Sequence, residues 1–251
     1  SQSVAQAFIR RTHTPAHATL ALVGDFEVAA ATKMITESFG NWKAEAPEEA
    51  APAPPRASVS PGAVRLLVSN RPGATQAELQ FGCLLPEAKE GPVLARHEVS
   101  ARVLEDRLWK VLRQKMGATY GIYAGASTLR GGTAYLDAGG AIETGKLGAV
   151  LGNFKAVLAA LGAEPPTADE IAWAKVRRAN GRASANMTNR GIAAAALRSA
   201  RLAFAISGED LGAVTAEDVR ADFQYCLRGN PTLSIVGEEP VVRSAFKDAW
   251  R

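Results

Sequence analysis

The chain has 251 residues, with 29 Lys and Arg against 25 Asp and Glu, a net charge of +4 and a pI near 9.2. Apolar residues make up 47% and charged residues 22%, ordinary globular proportions that exclude a collagen, a disordered tail and a coiled coil. The length allows one large domain, or one domain with part of another, and no stretch approaches 18 uncharged apolar residues, so no membrane span is expected.

The N-terminal residues Ser1 to Gln6 already read as a running amphipathic helix and lack the charged-then-apolar plan of a secretion signal. Ala18–Gly24 is a short apolar run ended by Gly24-Asp25, and Val28–Phe39 carries apolar residues at helical spacing, which predicts a strand followed by a helix. Residues 44–61 hold six Ala, five Pro and three Glu, a composition that buries little and favours extended backbone, so this stretch reads as a linker. Beyond it, Ala63–Ser69 and Gln76–Leu85 read as strands joined by the turn Asn70-Arg71-Pro72-Gly73, and an antiparallel pairing of the two is expected.

The strongest helix signal follows, with Leu94, His97, Ala101, Leu104, Leu108 and Val111 on one face and Gly117 as its stop. Thr119–Thr128 and Thr133–Ile142 then read as a hairpin about Leu129-Arg130-Gly131-Gly132. Four helices are expected over Thr144–Leu161, Ala168–Asn186, Arg190–Ile206 and Ala216–Cys226. Thr167-Ala-Asp-Glu170 forms a capping box before the second, and Thr215 caps the fourth. The closing strand Thr232–Val236 and helix Val241–Trp250 repeat the opening unit, since Thr19–Asp25 aligns with Thr232–Glu238. This repeat implies the ends of two similar domains: residues 1–43 as the strand–helix tail of a preceding, mostly absent domain, and residues 62–251 as one α+β domain.

Chemistry is sparse. The three histidines are His13, His17 and His97. His13 and His17 have helical i,i+4 spacing, but Pro15 lies between them; His97-Glu98 lacks a second histidine and sits on the apolar stripe, so a core role suits it better than a metal. Cys83 and Cys226 are too few for a disulfide framework, and Cys83, inside the run Leu79–Leu85, reads as a small buried hydrophobe. Nucleophile elbows, phosphate loops and dinucleotide fingerprints are missing. Asn186-Met187-Thr188 fits a glycosylation sequon, a pattern short enough to arise by chance. Ile171 to Gly208 carries seven Lys and Arg without Asp or Glu, yet it lacks interleaved aromatics, which favours a solvated or partner-facing surface over a nucleic-acid face.

Arg113 and Tyr120 straddle the turn at Gly117. A guanidinium beside a phenol can bind a peptide carbonyl or stabilise an oxyanion, whereas a blander reading has Arg113 satisfying the last helix carbonyls and Tyr120 half-buried in a strand. The segment Arg113-x-x-x-Gly117-x-x-Tyr120-Gly121 resembles the R-x-x-x-G-x-x-Y-G signature in the second domain of the pitrilysin, insulinase and mitochondrial processing peptidase family of zinc peptidases. Further matches run along the chain at Leu22–Asp25, Phe39–Trp42, Pro72–Gln76, Phe81-Gly82, Pro166–Glu170 and Ala174-Lys175. The resemblance implies an α+β domain with an antiparallel sheet backed by helices, one of a pair facing each other across a chamber. It implies that zinc and the general base sit on an H-x-x-E-H domain elsewhere, that this chain holds no cofactor of its own, and that Arg113 and Tyr120 hold the substrate peptide backbone. One departure from the family is visible: Val103-Leu104-Glu105-Asp106-Arg107-Leu108 runs through where relatives carry a Gly-Gly stretch, which implies a reshaped helix before Arg113. A structural or binding module of the same fold is the alternative reading. The family's bacterial members often work outside the cytoplasm.

Overall fold

The computed structural model describes residues 1–43, 62–202 and 210–250. The linker segment 44–61 and the end of the helix expected over Arg190–Ile206 fall outside them. By packing, the chain resolves into two units, one of residues 1–56 and 184–201, the other of residues 57–183 and 202–251. The sequence reading places residues 184–201 with 62–251.

In the first unit, α1 (Gln2–Thr12) buries none of its side chains, and a short 3-10 turn over Pro15–His17 follows where proline blocks the helix. Ala18–Val23 is not the expected strand. The segment is extended at Ala18 but joins no sheet among the described residues, and an extended segment without a ladder of interstrand hydrogen bonds is not a β-strand. The helix expected next is α2 (Val28–Phe39), which buries only Ala31 and leaves Met34 and Phe39 exposed.

The second unit is built on a five-stranded sheet of β1 (Arg65–Asn70), β2 (Gln76–Leu85), β3 (Tyr123–Thr128), β4 (Ala134–Glu143) and β5 (Thr232–Gly237), in the order β1-β5-β2-β4-β3. All neighbours are antiparallel except β1 with β5. The expected pairing of β1 with β2 is therefore wrong, because β5 inserts between them, setting Leu233 beside both Leu66 and Phe81. The swap has a clear driving force: Leu233 and Ile235 are fully buried, and only a central strand can have both neighbours cover them. The β3–β4 hairpin turns at Gly131 and Gly132, whose φ values of 94° and 93° disfavour any residue with a Cβ.

Alternation along the strands divides the sheet into two faces. Ala77, Leu79, Phe81, Cys83 and Leu85 of β2 point into the core, with Leu136, Ala138 and Ile142 of β4 beside them. The covering helices are α3 (Gly91–Leu108), α4 (Leu147–Ala163), α7 (Ala216–Arg228) and α8 (Glu239–Ala249); α5 (Ala168–Asn186) is joined to α3 by ion pairs, and α6 (Asn189–Leu202) lies largely in the first unit. With its preceding turn, α4 is long and apolar enough to cross a membrane by composition, although Lys146 and Lys155 interrupt the run. Here its residues Leu147, Val150, Leu151, Phe154, Val157, Leu158 and Leu161 are buried, and Phe154 packs on Phe81 at 5.5 Å.

Both caps form as read from sequence. Thr167 and Glu170 exchange backbone and side-chain hydrogen bonds, as do Thr215 and Asp218. Glu170 also takes both arms of Arg107, at 2.7 and 2.9 Å, so it joins α5 to α3. Those hydrogen bonds from Arg107 hold its carboxyl well below the usual range, at about 2.

Two features of α7 escape the sequence reading. Cys226 is not a free thiol and Cys83 is not a simple hydrophobe: the two form a disulfide that ties α7 to the central strand β2. One helical turn before Cys226, the fully buried Asp222 accepts from Ser100 Oγ at 2.8 Å and lies 2.9 Å from Arg96 Nη2 and 3.7 Å from His97 Nε2, all on α3. The Arg96 contact is an ion pair off hydrogen-bond alignment, and both His97 nitrogens lack a hydrogen-bond partner. Burial raises Asp222 to about 6, opposed by Arg96 and Ser100, and the same burial, helped by Arg96, lowers His97 to about 3. His97 is thus a core residue, as its place on the apolar stripe implied.

The signs of these shifts set the acid response. Asp222 keeps its proton in the native state up to about pH 6, so its contribution rises as pH falls from 6 towards its ordinary value of 3.8. His97 works the other way, since the unfolded chain takes up its proton below pH 6.5 while the native state resists until about 3. The melting temperature, followed by circular dichroism, is expected to be nearly flat from pH 6 to 4. Below pH 4 it should fall as His97 and Glu170 both penalise the native state, and a rise there would contradict the assignment. In Asp222→Asn the fall should begin near pH 6. A second prediction concerns the covalent tie, which closes a loop of 143 residues. Thiol titration of the unfolded, unreduced protein should find no free thiol, and reduction should cost roughly 2–5 kcal/mol of stability.

Candidate substrate-binding site

The site begins where α3 ends. Its last turn widens into a π-helix over Trp109–Lys115, with the Met116 amide bonded to the Val111 carbonyl five residues back. The helix before Arg113 is therefore not continuous α. Gly117, at φ +57°, then reverses the chain, and the Ala118 amide closes the turn on the Leu112 carbonyl at 2.9 Å. The expected stop is in place, but Leu112 is the fully buried anchor, whereas Val111 is only partly covered. The carbonyls of Val111, Leu112 and Arg113 accept the amides of Met116, Ala118 and Gly117, and Lys146 Nζ donates to the Gly117 carbonyl at 3.3 Å, so these carbonyls do not call on Arg113.

The next residues are held on both sides of Tyr120. Ala118 and Ile122 are buried, the Ala118 carbonyl accepts from the Glu143 amide, and Thr119 Oγ1 sits 2.7 Å from the Ala141 carbonyl. Gly140 permits this approach, because a Cβ there would lie 2.4 Å from the Gly121 carbonyl oxygen. Pinned this way, the backbone from Thr119 to Ile122 is not part of β3, which starts at Tyr123 and not at the expected Thr119. Tyr120 is 83% exposed, contrary to the half-buried alternative.

Arg113 is brought to Tyr120, its guanidinium carbon 5.7 Å from the ring centroid. The pair borders a groove of about 370 Å³ with Thr75, Gln76, Thr119 and Glu143. A second groove of about 570 Å³ opens from the other side of Tyr120 across the solvent-facing surface of the sheet, with Tyr123, Glu78, Gln80 and Asp137 on its walls. Sequence reasoning missed this second groove. The alternation of β2 and β4 put those residues on the polar face, but strand order was needed to bring them together.

No group of three or more His, Cys, Asp and Glu residues is arranged to hold a metal among the described residues. The basic stretch from Ile171 is largely engaged within the chain: Arg178 pairs with Glu98, Arg177 lies over Trp173 and Lys175 donates to the Gly212 carbonyl.

Solved structures share this fold. A protease from Helicobacter pylori superposes with a TM-score of 0.72 at 15% identity, covering 94% of this chain and 59% of its own. A predicted insulinase family protease from Yersinia pestis gives 0.65 at 15%, covering 99% and 59%, and a peptidase M16 inactive domain from Pseudomonas fluorescens gives 0.64 at 17%, covering 84% and 52%. The chain therefore spans between half and three-fifths of the length of these proteins. No curated protein matches it. The class that the fold defines is α+β, a five-stranded mixed sheet backed by helices. The family model of the peptidase M16 inactive domain matches residues 2–177, and the chain belongs to that family.

Proposed function

We propose that this chain is the non-catalytic half of an M16 zinc endopeptidase, closing a chamber and positioning peptide substrate for hydrolysis by an H-x-x-E-H half. The observation that carries this reading is the exposed Arg113–Tyr120 pair, projected from a turn whose flanking residues are buried and hydrogen-bonded on both sides. The turn presents both groups to solvent within reach of one ligand, and the family membership supplies the ligand class.

Zinc and its general base belong, in this reading, to the catalytic half, where zinc polarises the scissile carbonyl and activates water. Residues of this chain do the positioning. The Arg113 guanidinium and the Tyr120 hydroxyl donate to substrate carbonyl oxygens, fixing the backbone in register with the metal and stabilising the oxygen as it gains negative charge. The π-turn and Gly117 make the two donors converge before substrate arrives. The disulfide between Cys83 and Cys226 supports work in an oxidising compartment outside the cytoplasm. We propose also that residues 62–251 form the folding unit, since the buried apolar cluster from Ala77 to Ala245 takes no member from residues 1–43.

In the complete enzyme, Tyr120→Phe and Arg113→Lys should each lower kcat/KM, on the order of 100-fold where the lost donor acts in the transition state. Zinc content and melting temperature should stay as in the parent. Unchanged peptide hydrolysis in both variants would return the pair to a structural role. Removing residues 1–61 should leave a cooperative melt lowered by only a few degrees, and loss of cooperativity would show that the opening helices complete the core.

A further inference from the structure

The open face of the sheet carries a charge pattern opposite to that of the chain. The protein is basic, at +4, yet the 570 Å³ groove across this face is walled by Glu78 and Asp137 and includes no Lys, Arg or His. Neither carboxylate has a cationic partner among the described residues: Asp137 accepts a single hydrogen bond from Gln80 at 3.1 Å, and Glu78 forms no ion pair. Most other carboxylates of this unit are engaged, including Glu98, Asp106, Glu143, Glu170, Glu217 and Glu239, each with an Arg or Lys. What sets Glu78 and Asp137 apart is that they share one groove whose lining includes no cation.

Their spacing follows from the register. Asp137 lies opposite Gly82, and Glu78 lies four residues from Gly82 along the same strand, all on the solvent face. At about 3.4 Å per residue this separates the two carboxylates by about 14 Å along the sheet. Gln80 lies between them, folded over Gly139, where a Cβ would come within 2.3 Å of its Oε1. The groove floor is thus kept low by glycine, while Tyr120 and Tyr123 raise aromatic walls at one side, the latter 69% exposed. Phenol rings facing a groove with fixed negative charge accept guanidinium and ammonium groups on their faces.

We infer that this sheet face receives an extended, basic segment of the peptide substrate, with Arg or Lys side chains four residues apart meeting Glu78 and Asp137. An extended chain repeats at the same rise as the strands beneath it, so side chains at i and i+4 span the same 14 Å and emerge on the same side. Charge complementarity makes the groove a filter for positive substrates. The inference rests on the reading that this chain positions peptide, and it adds which peptides.

The test uses the full 251-residue chain and a dye-labelled nine-residue peptide with arginine at two positions four apart. Its counterpart carries citrulline, which keeps the shape and removes the charge. In fluorescence anisotropy at low salt, the arginine peptide should bind about tenfold more tightly, the sum expected of two partly exposed ion pairs. That advantage should shrink in 0.5 M salt. Glu78→Gln with Asp137→Asn should abolish the advantage while leaving citrulline-peptide binding in place. Both substitutions lie on an open, polar face and conserve side-chain size. Equal binding of the two peptides, binding of neither, or an arginine preference that survives in the double variant would each overturn the inference. The Arg113→Lys and Tyr120→Phe variants separate the two proposals: an arginine preference in anisotropy with unaltered hydrolysis in those variants would defeat the positioning reading alone.

Discussion

Everything at the candidate site depends on one constraint, that the chain must leave a buried helix and reach the sheet within a few residues of Lys115. An α-helix running on would carry the backbone past β4. The π-turn instead adds a residue to the last turn, seats Leu112 in the core, and lets positive-φ Gly117 send Ala118 against the end of β4, where Glu143 pairs with it. Arg113 and Tyr120 lie on either side of this reversal, which is why residues seven apart in sequence come together. Alanine at 117 would require a left-handed backbone that L side chains rarely adopt, and bulk at 140 would strike the Gly121 carbonyl. The site's geometry is therefore stored in backbone features rather than in contacts between the functional side chains themselves.

Most local elements were legible in the sequence because their signals are local. The period of α2 and α3, the caps at Thr167 and Thr215, and the stop at Gly117 each rest on signals between residues close in sequence. Strand order was not legible. Asn70-Arg71-Pro72-Gly73 carries genuine turn chemistry and Gly73 does adopt φ +69°, but a turn says only that the chain reverses. The strand that fills the gap, β5, arrives about 150 residues later, and nothing near the turn encodes it. Ala18–Val23 failed for the complementary reason: its residues suit a strand, but β-structure belongs to a pair of segments.

The disulfide and the Asp222 cluster were hidden in the same way, since each joins α7 to an element more than a hundred residues earlier. They also share an energetic logic. Asp222 is a buried charge that removal of Arg96 would leave unpaired, an arrangement that usually contributes little net stability while penalising alternatives. Cys226, one turn along the same face, adds a covalent tie to β2. A polar cluster that tolerates one docking of α7 and a bond that restricts the unfolded chain act together. The first selects the register of α7 against α3, and the second makes that register persistent.

The division of charge follows from the same architecture. A sheet with helices on one side must place its polar residues on the other, and alternation along β2 and β4 obliges Glu78, Gln80 and Asp137 to share that surface. The helices could then pair their acids with arginines of a neighbouring helix, as Glu98 of α3 does with Arg178 of α5 and Glu170 of α5 with Arg107 of α3. Among the described residues, Glu78 and Asp137 find no such partner, and only Gln80 reaches Asp137. Because the groove they wall is continuous with the exposed Tyr120, whatever neutralises them also passes the residue best placed to grip a peptide backbone. Specificity and positioning are thus built from two adjacent surfaces of one turn, the first from sheet alternation and the second from the way the helix ends.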